Sequence, residues 1–150
     1  MEARHAEEAE EQTMGEMSVL LVDDEKDFLE VLAKRLRKRK LILMVANSGE
    51  EAIRTIHSTA IDVVVLDMRM PGMDGLQTLR EIKQINPLVE VIMLTGHANV
   101  ETAVKGMELG AFDYLIKPVD IDELLYKVQD AFKKKAISEE SSGKAGGAID

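Results

Sequence analysis

Four short apolar runs, Val19–Val22, Val63–Leu66, Val91–Leu94 and Tyr114–Ile116, constrain the fold of this chain more than any other feature. A fifth, Leu41–Val45, lies between the first two. The runs are β-branched or leucine-rich and do not alternate with polar residues. A strand with one wet face alternates, whereas a strand covered on both faces does not. The runs therefore predict a parallel sheet sandwiched by helices. Helical periodicity fills the gaps. Phe28, Val31, Leu32 and Leu36 form one apolar stripe, Ala52, Ile53 and Ile56 a second, and Leu76, Leu79 and Ile82 a third. Val100, Ala103, Val104 and Met107 make a fourth, and Ile121, Leu124, Leu125, Val128 and Phe132 a fifth. Asp120, with Glu123 three residues on, predicts a capped start for the last helix. Strand then helix, five times over, gives an α/β doubly wound domain over about residues 18–136.

A length of 150 residues suits one domain with a sizeable core. At 45% hydrophobic but 3% aromatic, that core is aliphatic, and the nine Met read as filler rather than as a promiscuous groove. The absence of Cys excludes disulfide frameworks, thiolate zinc sites and thiol nucleophiles. No apolar run approaches the ~20 residues that span a bilayer. The acidic start MEARHAEEAEEQ lacks the apolar centre of an export signal, so a cytoplasmic location is expected.

The net charge of −9 is concentrated at the ends. Residues 1–17 hold six Glu against one Arg and read as an acidic extension, disordered or a frayed helix. Residues 137–150 are Ser- and Gly-rich and read as a flexible tail or linker stub. The middle is close to neutral, which argues against direct nucleic-acid binding. The basic run KRLRKRK (34–40) reads as the solvated end of the first helix, where cations complement the dipole.

In an open parallel sheet, ligand-binding side chains collect just past the carboxyl ends of the strands. Asp23, Asp24 and Glu25 follow the first run, Asp67 the run at 63–66, Thr95 the run at 91–94, and Lys117 the run at 114–116. The separations of 43, 28 and 22 positions from Asp24 to Asp67, Thr95 and Lys117 in turn leave room for two, one and one strand–helix units. Three carboxylates confined together repel, and a hard divalent cation resolves that repulsion with a few carboxylates, waters and a phosphate oxygen. A carboxylate can also act as nucleophile toward a phosphoryl group. A metal and a Lys ammonium would compensate the charge of the transferring group.

The segments VLLVDDE (19–25), VVVLDMRMPGMDG (63–75), VIMLTGHA (91–98) and DYLIKPV (113–119) resemble the receiver domain of bacterial two-component response regulators, of the chemotaxis-regulator type. The resemblance covers about residues 18–136 and implies a flavodoxin-like sheet of five strands in the order 2-1-3-4-5. It implies that Asp67 is the phospho-acceptor and that Asp24, Asp23 and Asp67, with the Arg69 main chain, hold Mg²⁺ or Mn²⁺. By the same likeness Thr95 is the switch hydroxyl, Lys117 the phosphate-binding lysine, and Tyr114 the aromatic that moves with Thr95. The Lys117–Pro118 bond is expected to be cis. Implied partners are a sensor histidine kinase or phosphotransfer domain, and an effector or output domain engaged through about residues 99–135. A phosphorylation-dependent homodimer stays open.

Each residue also has a plainer reading. Asp23 and Asp24 suit the start of a helix, and Asp67 could open the turn that Pro71–Gly72 and Asp74–Gly75 signal. Thr95 and Lys117 alone would be ordinary surface residues. Coincidence at four strand ends is the poorer explanation. His97, two residues past Thr95, is either an influence on phosphoryl hydrolysis or a loop residue. Two other functions compete. A haloacid-dehalogenase-type phosphatase also uses an aspartyl phosphate, but needs an acid two positions on, where this chain has Arg69. A degenerate receiver acting as a scaffold would not need the complete acidic set, Thr95 and Lys117.

Overall fold

The computed structural model describes residues 17–39, 41–70, 72–96 and 100–149, with side chains described as far as residue 141. Strands and helices alternate as β1 (Ser18–Val22), α1 (Lys26–Arg37), β2 (Ile42–Ala46), α2 (Gly49–Ser58) and β3 (Val63–Asp67). They continue as α3 (Gly75–Ile85), β4 (Glu90–Thr95), α4 (Val100–Glu108), β5 (Asp113–Ile116) and α5 (Ile121–Ile149). All four strand pairings are parallel, in the order β2-β1-β3-β4-β5.

The non-alternating strand sequences follow from two apolar layers. Val19, Leu21, Val63, Val65, Ile92 and Leu94 pack with Leu29, Leu32 and Leu36 of α1 and Leu124 and Val128 of α5. Their neighbours Leu20, Val22, Val64, Leu66, Val91 and Met93 pack with Ala52 and Ile56 of α2 and Leu79 and Ile82 of α3. Successive strand side chains point to opposite faces, and both faces are dry over β1, β3 and β4, whereas the edge strands β2 and β5 leave Ile42, Val45, Tyr114 and Ile116 exposed. Met17 and Met93 are fully buried and Met68 and Met70 nearly so, as filler in an aromatic-poor core.

Helix starts are set locally. Ser48 accepts the Glu51 N–H at 3.1 Å, and Asp74 accepts that of Gln77 at 2.9 Å. Asp120 accepts the N–H groups of Asp122 and Glu123 at 2.9 and 3.2 Å, as the sequence predicts for the start of α5. The basic run ends α1 on exposed Lys34, Arg35 and Arg37, the solvated end expected of it.

Three expectations are corrected. Val31 lies outside the buried stripe of α1, at 54% exposed, and Leu29 and Ala33 take its place. In α4, Val100, Val104 and Met107 stay exposed, and Ala103 with Gly106 makes the sheet contact. A side chain at 106 would collide with Met93, so this helix approaches on its small residues and turns the large ones outward. The last helix also continues to Ile149 through the stretch from 137 expected to be a flexible tail or linker stub. Lys135, almost wholly buried, bonds Asp62 at 3.0 Å and also pairs with Glu139 one turn on, which supports the helix past that point.

The loop after β3 contains the left-handed Gly72 (φ 76°) and leads into Gly75, the first residue of α3. A Cβ at Gly75 would lie 2.4 Å from the Cα of Met68, directly beyond Asp67. Backbone cannot yield as a flexible side chain can. Gly75→Ala is expected to destabilise the domain by about 1–3 kcal/mol through overpacking. The urea midpoint measures this, and an unchanged midpoint would show that the loop absorbs the methyl freely.

Candidate functional site

Strand ends place the polar residues. After Val22 the chain leaves β1, and the Asp23 N–H donates to the Ala46 carbonyl at the end of β2, at 3.2 Å. Asp23 Oδ1 accepts the Glu25 N–H at 2.9 Å, so this buried carboxylate also organises the approach to α1. The N-cap position of α1 is Glu25, so Asp23 stands ahead of the helix rather than capping it. Asp67 closes β3, and its Oδ1 accepts the Arg69 N–H at 3.3 Å. Thr95 closes β4, one residue beyond the partner of Asp67, and its carbonyl accepts the Lys117 N–H at 2.8 Å. Lys117 follows β5, and its bond to Pro118 is cis.

Four of the sequence-predicted residues meet directly. Asp23, Asp24 and Asp67 each offer a carboxylate oxygen, and these three atoms lie within 4.8 Å of one another. Lys117 Nζ lies 3.1 Å from Asp23 Oδ2 and 3.6 Å from Asp67 Oδ1. Asp23 and Asp67 are buried while Asp24 faces solvent, which leaves the cluster open on one side. One ammonium does not balance three carboxylates. Oxygen-only donors, partly exposed and in negative excess, fit a hard divalent cation.

The imbalance is visible at Asp67. Burial, then the Asp23 charge, pushes its carboxyl from 3.8 up to about 6, against the pull of Lys117 and the Arg69 N–H. Burial alone would weaken the hold of Lys117 on its proton. The hydrogen bond to Asp23 and the charges of Asp67, Asp23 and Glu25 outweigh that, and its pKa is raised.

The remaining residues sit nearby or apart. Thr95 is buried at the adjacent strand end, its hydroxyl 3.4 Å from the Gly96 carbonyl. Arg69 reaches the cluster through its backbone while its side chain is exposed. Tyr114 lies within β5. Its side chain, 40% exposed, lines a groove of about 370 Å³ with Val100, Ala103, Val104, Met107 and Glu108. His97, and residues 1–16 of the acidic extension, lie outside the described residues. Sequence reasoning missed Phe28, whose ring centroid is 4.5 Å from Lys117 Nζ. Its place in an apolar stripe concealed this, although its position four residues after Asp24 was a signal.

Comparison with known proteins agrees with this geometry. A family model described as the response regulator receiver domain matches residues 19–129. The transcriptional regulatory protein ZraR of Escherichia coli K12 is 40% identical over 119 residues, covering 79% of this chain and 27% of that protein. The regulatory protein AtoC of the same organism is 38% identical over 122 residues, covering 81% and 26%. The chain thus spans about a quarter of the length of these curated relatives. The crystal structure of a response regulator receiver domain protein from Clostridium thermocellum superposes with a TM-score of 0.78 at 36% identity, covering 81% of this chain and 98% of that one.

The raised Asp67 pKa has a direct consequence for stability. The folded chain binds this proton more tightly than the unfolded chain, so the contribution is fully present below about pH 4 and is lost as pH rises through 6. Above that, the ionised group costs the metal-free fold on the order of 2–3 kcal/mol. Asp67→Asn is expected to raise the melting temperature of metal-free protein near neutral pH. The gain should shrink as pH falls from about 7 toward 4, and divalent cation should narrow it by stabilising the parent. A gap independent of both pH and cation would contradict the electrostatic account.

Proposed function

Because this chain belongs to the response regulator receiver domain family, we propose that Asp67 accepts a phosphoryl group from the phosphohistidine of a sensor kinase or phosphotransfer domain. The carrying observation is the meeting of Asp23, Asp24, Asp67 and the Lys117 ammonium at one rim of the sheet. A carboxylate oxygen of Asp67 attacks phosphorus, the P–N bond to the donor imidazole breaks, and the imidazole takes up a proton as it leaves. Asp23, Asp24 and Asp67, with the Arg69 carbonyl, would hold Mg²⁺ or Mn²⁺. That ion would supply charge neutralisation for the crowded carboxylates and the incoming anion.

Lys117 serves the same end from the protein side, as an ammonium already within reach of Asp67. Aspartyl phosphate adds nearly two negative charges to a site already in negative excess. Thr95, at the adjoining strand end, would donate its hydroxyl to a phosphoryl oxygen. Its movement would be read by Tyr114 and the α4–β5 groove, within the proposed effector surface of about residues 99–135. The exposure of Val100, Val104 and Met107 supports that reading.

The role is signalling rather than metabolic turnover, in keeping with relatives named as transcriptional regulators. Among the described residues no helix is long and apolar enough to cross a membrane, which agrees with the proposed cytoplasmic setting. Division into an acidic extension (1–17), a receiver (18–136) and a following segment (137–150) is part of the same proposal.

Asp67→Asn is expected to abolish Mg²⁺-dependent labelling by acetyl phosphate or phosphoramidate. Asp24→Ala should remove saturable Mg²⁺ binding in a calorimetric titration. Undiminished labelling of the Asn variant would refute the acceptor assignment, and undiminished binding in the Ala variant would refute the metal assignment.

A further inference from the structure

Lys117 has two kinds of anchor. Asp23 and Asp67 attract its ammonium at 3.1 and 3.6 Å, and the ring of Phe28 lies 4.5 Å from the same nitrogen. Phe28 stands in the first turn of α1, four residues after Asp24, and packs against the layer containing Leu29, Leu32 and Leu115. The helix that begins beside the acidic pair therefore also fixes the ring. The Phe28 ring stands closer to its ammonium than the Phe112 ring does to Lys134, at 4.5 against 5.8 Å.

The two anchors respond differently when the site fills. The carboxylates hold the ammonium by net charge, and a cation bound among Asp23, Asp24 and Asp67 competes with Lys117 for them. The ring attracts through its quadrupole, carries no net charge and offers no ligand to a metal or phosphoryl group. A four-carbon stem has many rotamers. An ammonium whose carboxylates are engaged elsewhere would drift toward solvent unless something indifferent to the cation retained it.

We infer that Phe28 is a positioning residue, whose ring keeps the Lys117 ammonium beside Asp67 while the carboxylates engage a cation. The inference rests on the reading of Asp67 as phosphoryl acceptor. It adds to that site a residue outside the acidic and hydroxylic set. The electron density of the ring, and not merely its volume, then sets how fast Asp67 is phosphorylated.

The test replaces the Phe28 ring in the full chain with mono-, di- and trifluorinated phenylalanine, alongside Phe28→Leu and Phe28→Tyr. The rate constant for Mg²⁺-dependent labelling by phosphoramidate is followed in each. It is expected to fall stepwise with each fluorine, to fall roughly three- to tenfold in Phe28→Leu, and to stay within roughly twofold in Phe28→Tyr. A structural role would lower the Leu variant yet leave the fluorine series flat, and a flat series overturns the inference. An independent readout is the ring-current shift of the Lys117 ε-methylene protons in Mg²⁺. It should be upfield in the parent protein and lost in Phe28→Leu; its absence in the parent also overturns the inference. Should the parent protein take no phosphoryl group, the reading of Asp67 fails, and the ring-current comparison in Mg²⁺ alone decides the place of Phe28.

Discussion

Mutual repulsion among Asp23, Asp24 and Asp67 is the constraint on which the candidate site depends. Two of these carboxylates are buried, and one lysine ammonium reaches both. A group in that position is held by the surrounding fold rather than by its own favourable interactions. The two aliphatic layers supply the support. Every residue of β1, β3 and β4 except Ser18 is buried, so the strand ends have little freedom to relax apart. The cluster is thereby left with an unmet demand for positive charge, which a bound cation would meet.

The opposite rim of the sheet shows the same ingredients in balance. Glu90, at the start of β4, is buried between Lys83 at 3.9 Å and Lys134 at 3.4 Å. Lys135 bonds Asp62 at 3.0 Å, and the other oxygen of Asp62 accepts the Ser18 N–H at 2.9 Å. Lys83 also donates to the carbonyls of Pro87 and Val89, and burial lowers its pKa. Here each buried charge faces a partner of opposite sign, an arrangement suited to holding α5 against the sheet. One rim is satisfied within the chain; the other is left in negative excess.

The sheet and the acidic cluster were legible in the sequence for a common reason. Runs such as VVVL (63–66) can be dry on both faces only inside a layered parallel sheet, and such a sheet dictates where the residue after each run must stand. What was not legible depended on which side of an amphipathic helix is covered. The stripe Val100, Ala103, Val104 and Met107 is genuinely apolar, yet α4 packs through Ala103 and Gly106 because Met93 fills the space opposite. Periodicity reports a stripe, and the neighbour decides its burial. The continuation of α5 hid behind Ser and Gly, since the pairing of Lys135 with Asp62 joins residues far apart in sequence. Phe28 escaped notice likewise, because its meeting with Lys117 is a contact between opposite ends of the domain.

The uniform strands carry one more implication. An alternating strand has its alignment specified by which side chains must be dry, because slipping one position turns the wrong set inward. β3 lacks that protection, since Val63, Val64, Val65 and Leu66 would be equally content in either layer. What locates it lengthwise is the acid at each end, Asp62 tied to Lys135 and Asp67 beside Lys117. Sliding in either direction would drag one of them into hydrocarbon. The two aspartates act as the flanges of a spool, and the residue proposed as phosphoryl acceptor doubles as the stop that keeps its own strand from creeping.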